Sequence, residues 1–570
     1  MKQLSLVLLI LLSVSAFTIK PSKDTTQVSK ETKKPNVLVI LTDDMGYSDI
    51  GCFGSEIRTP NIDRLAKNGL SFTHFYNTAR CSPTRASLLT GLYPHQAGMG
   101  HLSSENYPEE GYKDDLSKNA VTMAEVFQQA GYATYMTGKW HIAKSMKNKG
   151  DKSNWPMQRG FQRYFGTLNG SGSFYDPGTL ISNNTFIAPS KDFYYTNAIS
   201  DTAVKFIKEN PKDKPFFFYV AYTAAHWPLH APESEVQKYK GVYDKGWDAI
   251  REQRFNKLKK IGIINDKCVL TARGVTIPEW QKEPMKEWQV CRMEVYAAMI
   301  DIMDQGIGRI ITALEQTGEL ENTVIFYMHD NGGCAEPVGT DKAEVPMTAE
   351  QKILKPYSYD SINDQKELIY TRDGRFVRRG KGVMPGGADT WTGYSLEWAN
   401  VSNTPFREYK HWAHEGGIAS PLIVHFPKGF KAKGELRTQP SHLIDIMATC
   451  LDITGVSYPT QFKGNAIQPF EGKSLVPAFQ NKPIKRDLIF WEHEGNRAIR
   501  VNNWKLVSKT KRNKAFTEGD EKAWELYDMD NDPSETKDLA TQNPQKVKEL
   551  AEKWEKEAVR TKAKPWPWQK

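Results

Sequence analysis

Cysteine is scarce in this chain, with six residues in 570, too few for the disulfide framework of a small secreted scaffold. Should Cys81 be chemically modified, five remain, and an odd number leaves at least one free or paired between chains. Cys268 and Cys291 share one region and are the two that could bridge. Beyond the N-terminus there is no apolar run of the roughly 20 residues that crossing a bilayer takes. Heptad runs, internal repeats and nucleic-acid-binding motifs are missing too. Neither sign of charge dominates, since 76 Lys+Arg against 67 Asp+Glu leaves +9 spread along the sequence. That balance permits a polyanionic partner without specifying one, and it points to neither nucleic acid nor membrane.

What is present begins with an address. Met1-Lys2-Gln3, the apolar stretch Leu4 to Leu12 and the small-residue exit Ser13-Val14-Ser15-Ala16-Phe17 read as a secretory signal peptide. The first cysteine is Cys52, so no lipid anchor is expected at the cleavage site. Residues 18–34, rich in Lys, Thr and Ser, read as a flexible leader. The expected product is periplasmic or secreted.

The remainder alternates between two patterns. Val37-Leu38-Val39-Ile40-Leu41 and Phe216-Phe217-Phe218-Tyr219-Val220-Ala221 are short continuous apolar runs, as in strands buried on both faces. Residues 133–137, 323–328 and 421–426 read as further strands, and 120–130 and 292–316 as helices. This alternation predicts an α/β fold, a large mixed and mainly parallel sheet flanked by helices. From about residue 487 the texture changes to short strands with tight turns (487–491, 498–501, 504–507, 524–527) and a helix near 543–558. We expect a catalytic domain over 35–440 and a smaller α+β C-terminal domain with an antiparallel sheet over 441–570. Residues 335–409, rich in Gly, Pro, Tyr and Trp, form an insertion too long for a structureless loop and are expected to fold over a substrate pocket.

Ligands of open parallel sheets bind beyond the carboxyl ends of the strands. Two predicted strands end there in Asp43-Asp44 and Asp330-Asn331. Alone, Asp43-Asp44 reads as a helix cap and a solvated turn. Matched at two strand ends, the four residues make an oxygen-rich set that favours calcium or magnesium over zinc. Cys81-Ser82-Pro83-Thr84-Arg85 sits where a strand over 70–76 turns into a helix that Pro83 could start and Gly91 could end. A cysteine at a helix N-terminus beside an arginine occupies an electropositive nest fit for an anionic substrate.

Cys81 to Gly91 resembles the signature of type I sulfatases of the arylsulfatase-like family, in which the cysteine is oxidised after synthesis to formylglycine. Asn36 to Asp44, Thr137-Gly138-Lys139-Trp140-His141, His226-Trp227-Pro228, Lys410 through Glu415-Gly416-Gly417, Trp504 to Val507 and Trp524 to Asp528 resemble further family segments in the family's order. The resemblance spans about residues 35–540 and implies an alkaline-phosphatase-like fold. It also implies a formylglycine at 81, installed by a formylglycine-generating enzyme and hydrated to a gem-diol, one oxygen of which attacks sulfur while the other later expels sulfate. Asp43, Asp44, Asp330, Asn331 and residue 81 would bind one Ca²⁺. Arg85, Lys139 and Lys410 would neutralise the sulfate, His141 would assist proton transfer at the gem-diol, and His226 would protonate the leaving oxygen or hold the sulfate. The expected substrate is a sulfated polysaccharide or its oligosaccharides. A phosphonate or phosphodiester hydrolase of the same superfamily, and a non-catalytic glycan-binding protein on this scaffold, are the alternatives. His329 stands where the family often has Ser, and Ala419 where many members carry Arg. Weaker specificity candidates are His95, His101, the Asn169–Asp176 loop, the Arg378-Arg379-Gly380-Lys381 run and Arg407.

Overall fold

The computed structural model describes residues 33–365, 367–509 and 524–567; the expected signal peptide lies outside them. The main sheet contains β1 (Asn36–Thr42), β2 (Leu70–Tyr76), β3 (Ala133–Lys139), β4 (Arg163–Thr167), β5 (Leu180–Ser182), β6 (Thr185–Phe186), β7 (Phe216–Ala221), β8 (Thr323–His329), β9 (Ala419–His425), β10 (Glu435–Arg437) and β11 (Ser441–His442). Its spatial order is β10-β2-β9-β8-β1-β7-β3-β4-β5-β6, with β11 also on β2. β8, β1, β7, β3 and β4 run parallel. β9 is antiparallel to both of its neighbours, β2 and β8. The expected mainly parallel, mixed sheet is present.

β1 lies at its centre and is buried throughout. Successive strand side chains point to opposite faces, so Leu38 and Ile40 enter one core, while Val37, Val39 and Leu41 enter the other. The first core is built against helices Tyr195–Lys208 and Lys286–Thr317, the second against Cys81–Thr90, Met123–Gln129 and Asp445–Thr454. Thr122 caps the Met123 helix and exchanges hydrogen bonds with Glu125 in a capping box. The helix expected over 292–316 starts earlier, at Lys286. No helix among the described residues is long and apolar enough to cross a membrane.

After a short hairpin of β12 (Gln461–Phe462) and β13 (Asn465–Ala466), four antiparallel strands follow: β14 (Ile489–His493), β15 (Asn496–Val501), β16 (Trp504–Ser508) and β17 (Glu525–Asp528). Trp554 of helix Pro544–Arg560 stacks on Phe490 at 5.6 Å. Phe490, Ile499, Leu506 and Leu526 join the same core as Val37 and Val39. Lys505 is buried in a bridge to Glu415 and Glu535, both at 2.7 Å. All six cysteines are free. Cys268 instead contacts Ser534 Oγ at 3.2 Å, so it does not bridge to Cys291.

Candidate active site

β1 and β8 pair with Thr42 beside His329, so the residues that follow each strand emerge side by side. Asp43, Asp44, Asp330 and Asn331 are all buried. Asp44 takes a left-handed backbone (φ 57°), uncommon for a non-glycine residue and concentrated at functional sites. Its N–H donates to Asp330 Oδ1 at 3.2 Å, and Asn331 Nδ2 donates to Asp44 Oδ1 at 2.7 Å. A Cβ on Gly332 would sit 1.9 Å from the Gly416 carbonyl oxygen, so the two glycine-bearing loops close on bare backbone.

Cations surround this cluster. Lys139, at the end of β3, reaches Asp43 Oδ2 at 2.5 Å. Lys410 Nζ reaches both oxygens of Asp44, at 2.7 and 2.9 Å. Arg85 donates to Asp330 Oδ2 at 3.1 Å and lies 3.5 Å from Asp43 Oδ2, with no exposed side-chain surface. Burial alone would lift the Asp44 carboxyl, but Lys410 and then His226 outweigh it and hold it well below the carboxylate range. Lys410 is kept protonated: burial opposes its charge, and Asp44 more than compensates.

His226 Nε2 lies 3.4 Å from Asp44 Oδ2, and its Nδ1 is 2.7 Å from the Trp227 carbonyl. Burial lowers its pKa to about 4 against the pull of Asp44. Ligand atoms of Asp43, Asp44, Cys81 and His226 all lie within 4.8 Å of one another. The resemblance gave His226 the leaving oxygen or the sulfate; the fold brings it to the acidic cluster.

Cys81 opens its helix directly after the extended residue Arg80, and Gly91 (φ 70°) ends it. Ser82 Oγ donates to the His141 carbonyl at 2.8 Å, which ties the turn at Cys81 to the loop after β3. His141 is held in the left-handed region (φ 58°) with its ring against Gly170, where a Cβ would meet it at 2.3 Å. The glycine-rich loop therefore serves first to pack this histidine.

The donor set fits a divalent cation. Asp43 Oδ1 and Asn331 Oδ1 are buried with no hydrogen-bond partner among the described residues, an arrangement costly unless something positive satisfies them. The Asp43 carboxyl is pushed up to about 6 by burial and then by the neighbouring Asp330 charge, despite Lys139. An added cation would relieve that cost.

Above Cys81 opens a cavity of about 560 Å³ lined by Cys81, His141, His226, Lys410, Arg80 and Trp227, with Ser103, Asn169, Gly170 and Ser171 among its polar walls. A larger cavity, about 720 Å³, lies elsewhere, between His74, Arg486, Arg500 and Met529, and contains none of the candidate residues. Glu336 was missed by sequence reading. It accepts from Arg80 Nη1 (2.9 Å) and Trp227 Nε1 (3.0 Å) and lies 3.1 Å from His411 Nε2. Each of those three residues is the sequence neighbour of a candidate: Cys81, His226 and Lys410 respectively. The only signal for it was its place inside the 335–409 insertion.

Several weaker candidates lie away from this cavity. His95 is fully buried and bonded to Glu492 at 2.6 Å. Arg378 and Arg379 line a different cavity, paired with Asp389 and Glu367. Arg407 is tied to Glu525 and Tyr527 of the C-terminal sheet. His329 is engaged by Tyr327 Oη and the Met45 carbonyl, both at 3.2 Å.

Strand-end carboxylates, buried lysines and a cysteine at a helix N-terminus together fit hydrolysis of an anionic ester. The sulfatase family profile matches residues 35–456, and the profile for the C-terminal region of N-sulphoglucosamine sulphohydrolase matches 407–564. An uncharacterized sulfatase of Schizosaccharomyces pombe is 33% identical over 556 residues, covering 92% of this chain and 93% of that protein. An arylsulfatase of Klebsiella aerogenes is 32% identical over 461 residues, covering 78% and 92%. Among solved structures, Ps i-CgsB in complex with k-i-k-neocarrahexaose superposes with TM-score 0.60 at 24% identity, over 94% of each chain. The chain belongs to the sulfatase family, as a type I member and a sulfuric ester hydrolase.

Proposed function

We propose that this hydrolase is an exported enzyme that releases sulfate from a sulfated carbohydrate, with Cys81 converted to formylglycine and one Ca²⁺ held by Asp43, Asp44, Asp330, Asn331 and residue 81. The observation that carries the reading is that Cys81, His226 and Lys410, which line one cavity, meet the buried acidic cluster and its cations. Calcium, when bound, supplies fixed positive charge that offsets the carboxylates and polarises an ester oxygen. A formylglycine at residue 81 would supply, as its hydrate, two hydroxyls on one carbon where a serine offers one.

The chain's own residues do the rest. Lys139 and Lys410 are pinned by Asp43 and Asp44, so their ammonium groups are preorganised for a sulfate and cost no reorganisation during reaction. Arg85 bridges Asp43 and Asp330 and orders the acidic cluster beneath residue 81. His141, its ring held against Gly170 and its carbonyl bonded to Ser82, would move a proton at residue 81. With Nδ1 directed to the Trp227 carbonyl and Nε2 beside Asp44, His226 lines the cavity where a bound sulfate would favour its protonation for transfer to the leaving oxygen. The serine- and asparagine-lined walls and the Trp227 indole suit sugar hydroxyls and a ring face, and the neocarrahexaose complex of the structural neighbour supports that class.

Cys81 through Arg85 are all buried. The formylglycine-generating enzyme must therefore reach this segment before it packs, and folded unmodified protein is expected to resist modification. Export rests on the N-terminal sequence pattern. The test of the function is sulfate release from sulfated oligosaccharides and an aryl sulfate, set against phosphodiesters with the same leaving group. Preference for the sulfates is expected. Preference for the diesters would move the assignment to a phosphodiester hydrolase.

A further inference from the structure

The wall of the cavity beside Cys81 carries a guanidinium that the protein satisfies on one side only. Arg80 precedes Cys81 in extended backbone, lines the cavity and is 9% exposed. Its hydrogen bonds among the described residues all leave from Nη1, to Glu336 Oε1 at 2.9 Å and to the His411 ring. Nη2 makes none there, and Nε is buried with no partner among the described residues. A buried donor without an acceptor costs free energy that an oxygen supplied by a ligand would recover.

Charge and position say what that open edge takes. Arg80 meets Glu336 directly and Glu494 across the His411 ring, where Glu494 lies 3.1 Å from His411 Nδ1 and 3.0 Å from His101 Nε2. Its positive charge is therefore already answered, and a neutral acceptor suits it better than a second anion. The Nε–H and Nη2–H bonds leave the same edge of a rigid, planar group, and a hydroxyl oxygen has two lone pairs to receive them. Glu336 also accepts from Trp227 Nε1 at 3.0 Å, which fixes the guanidinium and the indole to one carboxylate. Consecutive Cα atoms are about 3.8 Å apart, so an oxygen held by Arg80 belongs to the same sugar ring whose sulfate sits at residue 81.

We propose, resting on the carbohydrate reading above, that Arg80 is a specificity-determining residue whose Nε–H and Nη2–H donate to a free hydroxyl of the ring bearing the scissile sulfate. Glu336 holds the guanidinium in that orientation. The substrate is then a sulfated sugar with an unsubstituted hydroxyl close to the sulfate. A simple aryl sulfate offers no such oxygen and forgoes the contact.

The test compares wild type with Arg80→Lys on k-i-k-neocarrahexaose, D-glucosamine-2-N,6-O-disulfate and 4-nitrophenyl sulfate, with rates referred to the formylglycine content at residue 81. Lysine keeps a positive charge beside Glu336 but lacks the planar fork. For the sugar that wild type hydrolyses best, kcat/KM should fall by about 10- to 100-fold, the range for a hydrogen bond to a charged group. The loss on the aryl sulfate should be smaller, so that the sugar-to-aryl ratio drops by about 10-fold or more. Equal losses on both would assign Arg80 to the sulfate itself, and no loss on either would deny it a substrate contact; each overturns the proposal. A wild type that hydrolyses the aryl sulfate and no sugar would overturn the carbohydrate reading together with the contact. Should Arg80→Lys fail to fold or carry no formylglycine, wild type decides on sugars lacking each free hydroxyl of the sulfated ring in turn. One deletion should cost about 10-fold or more in kcat/KM, and no loss at any position contradicts the contact.

Discussion

At the scale of single residues, the site is a problem in unbalanced charge. Asp43, Asp44 and Asp330 bring three carboxylates into a dry cluster, and Lys139, Lys410 and Arg85 answer them one by one. Two oxygens, Asp43 Oδ1 and Asn331 Oδ1, remain unanswered. Removing calcium with a selective chelator is therefore expected to lower the thermal unfolding temperature and abolish sulfate release, with calcium restoring both. Activity and stability unaffected by thorough chelation would argue against the ion. Lys410→Ala removes a preorganised charge from the cavity and should lower kcat by about 10²–10³-fold, more than it raises KM. An effect on KM alone would make Lys410 a binding group only.

At the scale of elements, the account depends on what holds the strand ends and loops together. Lys505 on β16 is buried between Glu415 and Glu535, and Glu415 also accepts from Tyr76 Oη at 3.1 Å on β2. Breaking such a pair strands two carboxylates in low dielectric, so Lys505→Met should destabilise by about 3–5 kcal/mol, read from denaturant unfolding. A change below about 1 kcal/mol would show that water reaches the pair. Glu336→Gln should lower kcat while leaving calcium stoichiometry unchanged, because Glu336 holds the neighbours of Cys81, His226 and Lys410 rather than the ion. Loss of calcium in that variant would contradict this separation. Elements of this kind were unequally legible. β1 and β7 were readable as unbroken apolar runs because both of their faces are covered, and the acidic pairs were found by following strands to their ends. The antiparallel direction of β9 was not, since a buried run such as Pro421 to Phe426 has the same composition in either direction. Helices Tyr195–Lys208 and Gly246–Lys260 drew no expectation. Glu336 and the Glu494 group escaped notice because their partners come from segments far apart in sequence, which no local spacing encodes.

At the scale of the whole molecule, burial governs the response to acid. His230 and His442 are fully buried. Burial lowers their pKa values to about 4 and about 3, with the Arg486 charge adding to the effect at His442. Each accepts a backbone N–H on Nδ1, from Phe174 and Ile444 respectively, both at 3.3 Å. An unfolded histidine titrates near 6.5. Below that pH the unfolded chain binds protons that these two refuse, so stability is lost as pH falls from about 6.5 toward 4, by up to about 1.4 kcal/mol per unit for each. Unfolding temperatures across this window should decline steadily, and a flat profile would mean that the two rings take up protons in the folded chain as readily as in the unfolded one. Cys81 is as deeply buried, and the proposed formylglycine at this position is the point on which the chemistry is tested most directly. The protein is purified from the cell that produces it, digested with trypsin, and the mass of the peptide beginning at Cys81 is measured. A loss of about 18 Da from the cysteine form, with an aldehyde that hydrazide traps, is the predicted result for a formylglycine nucleophile; an unmodified thiol in protein that still releases sulfate would contradict it.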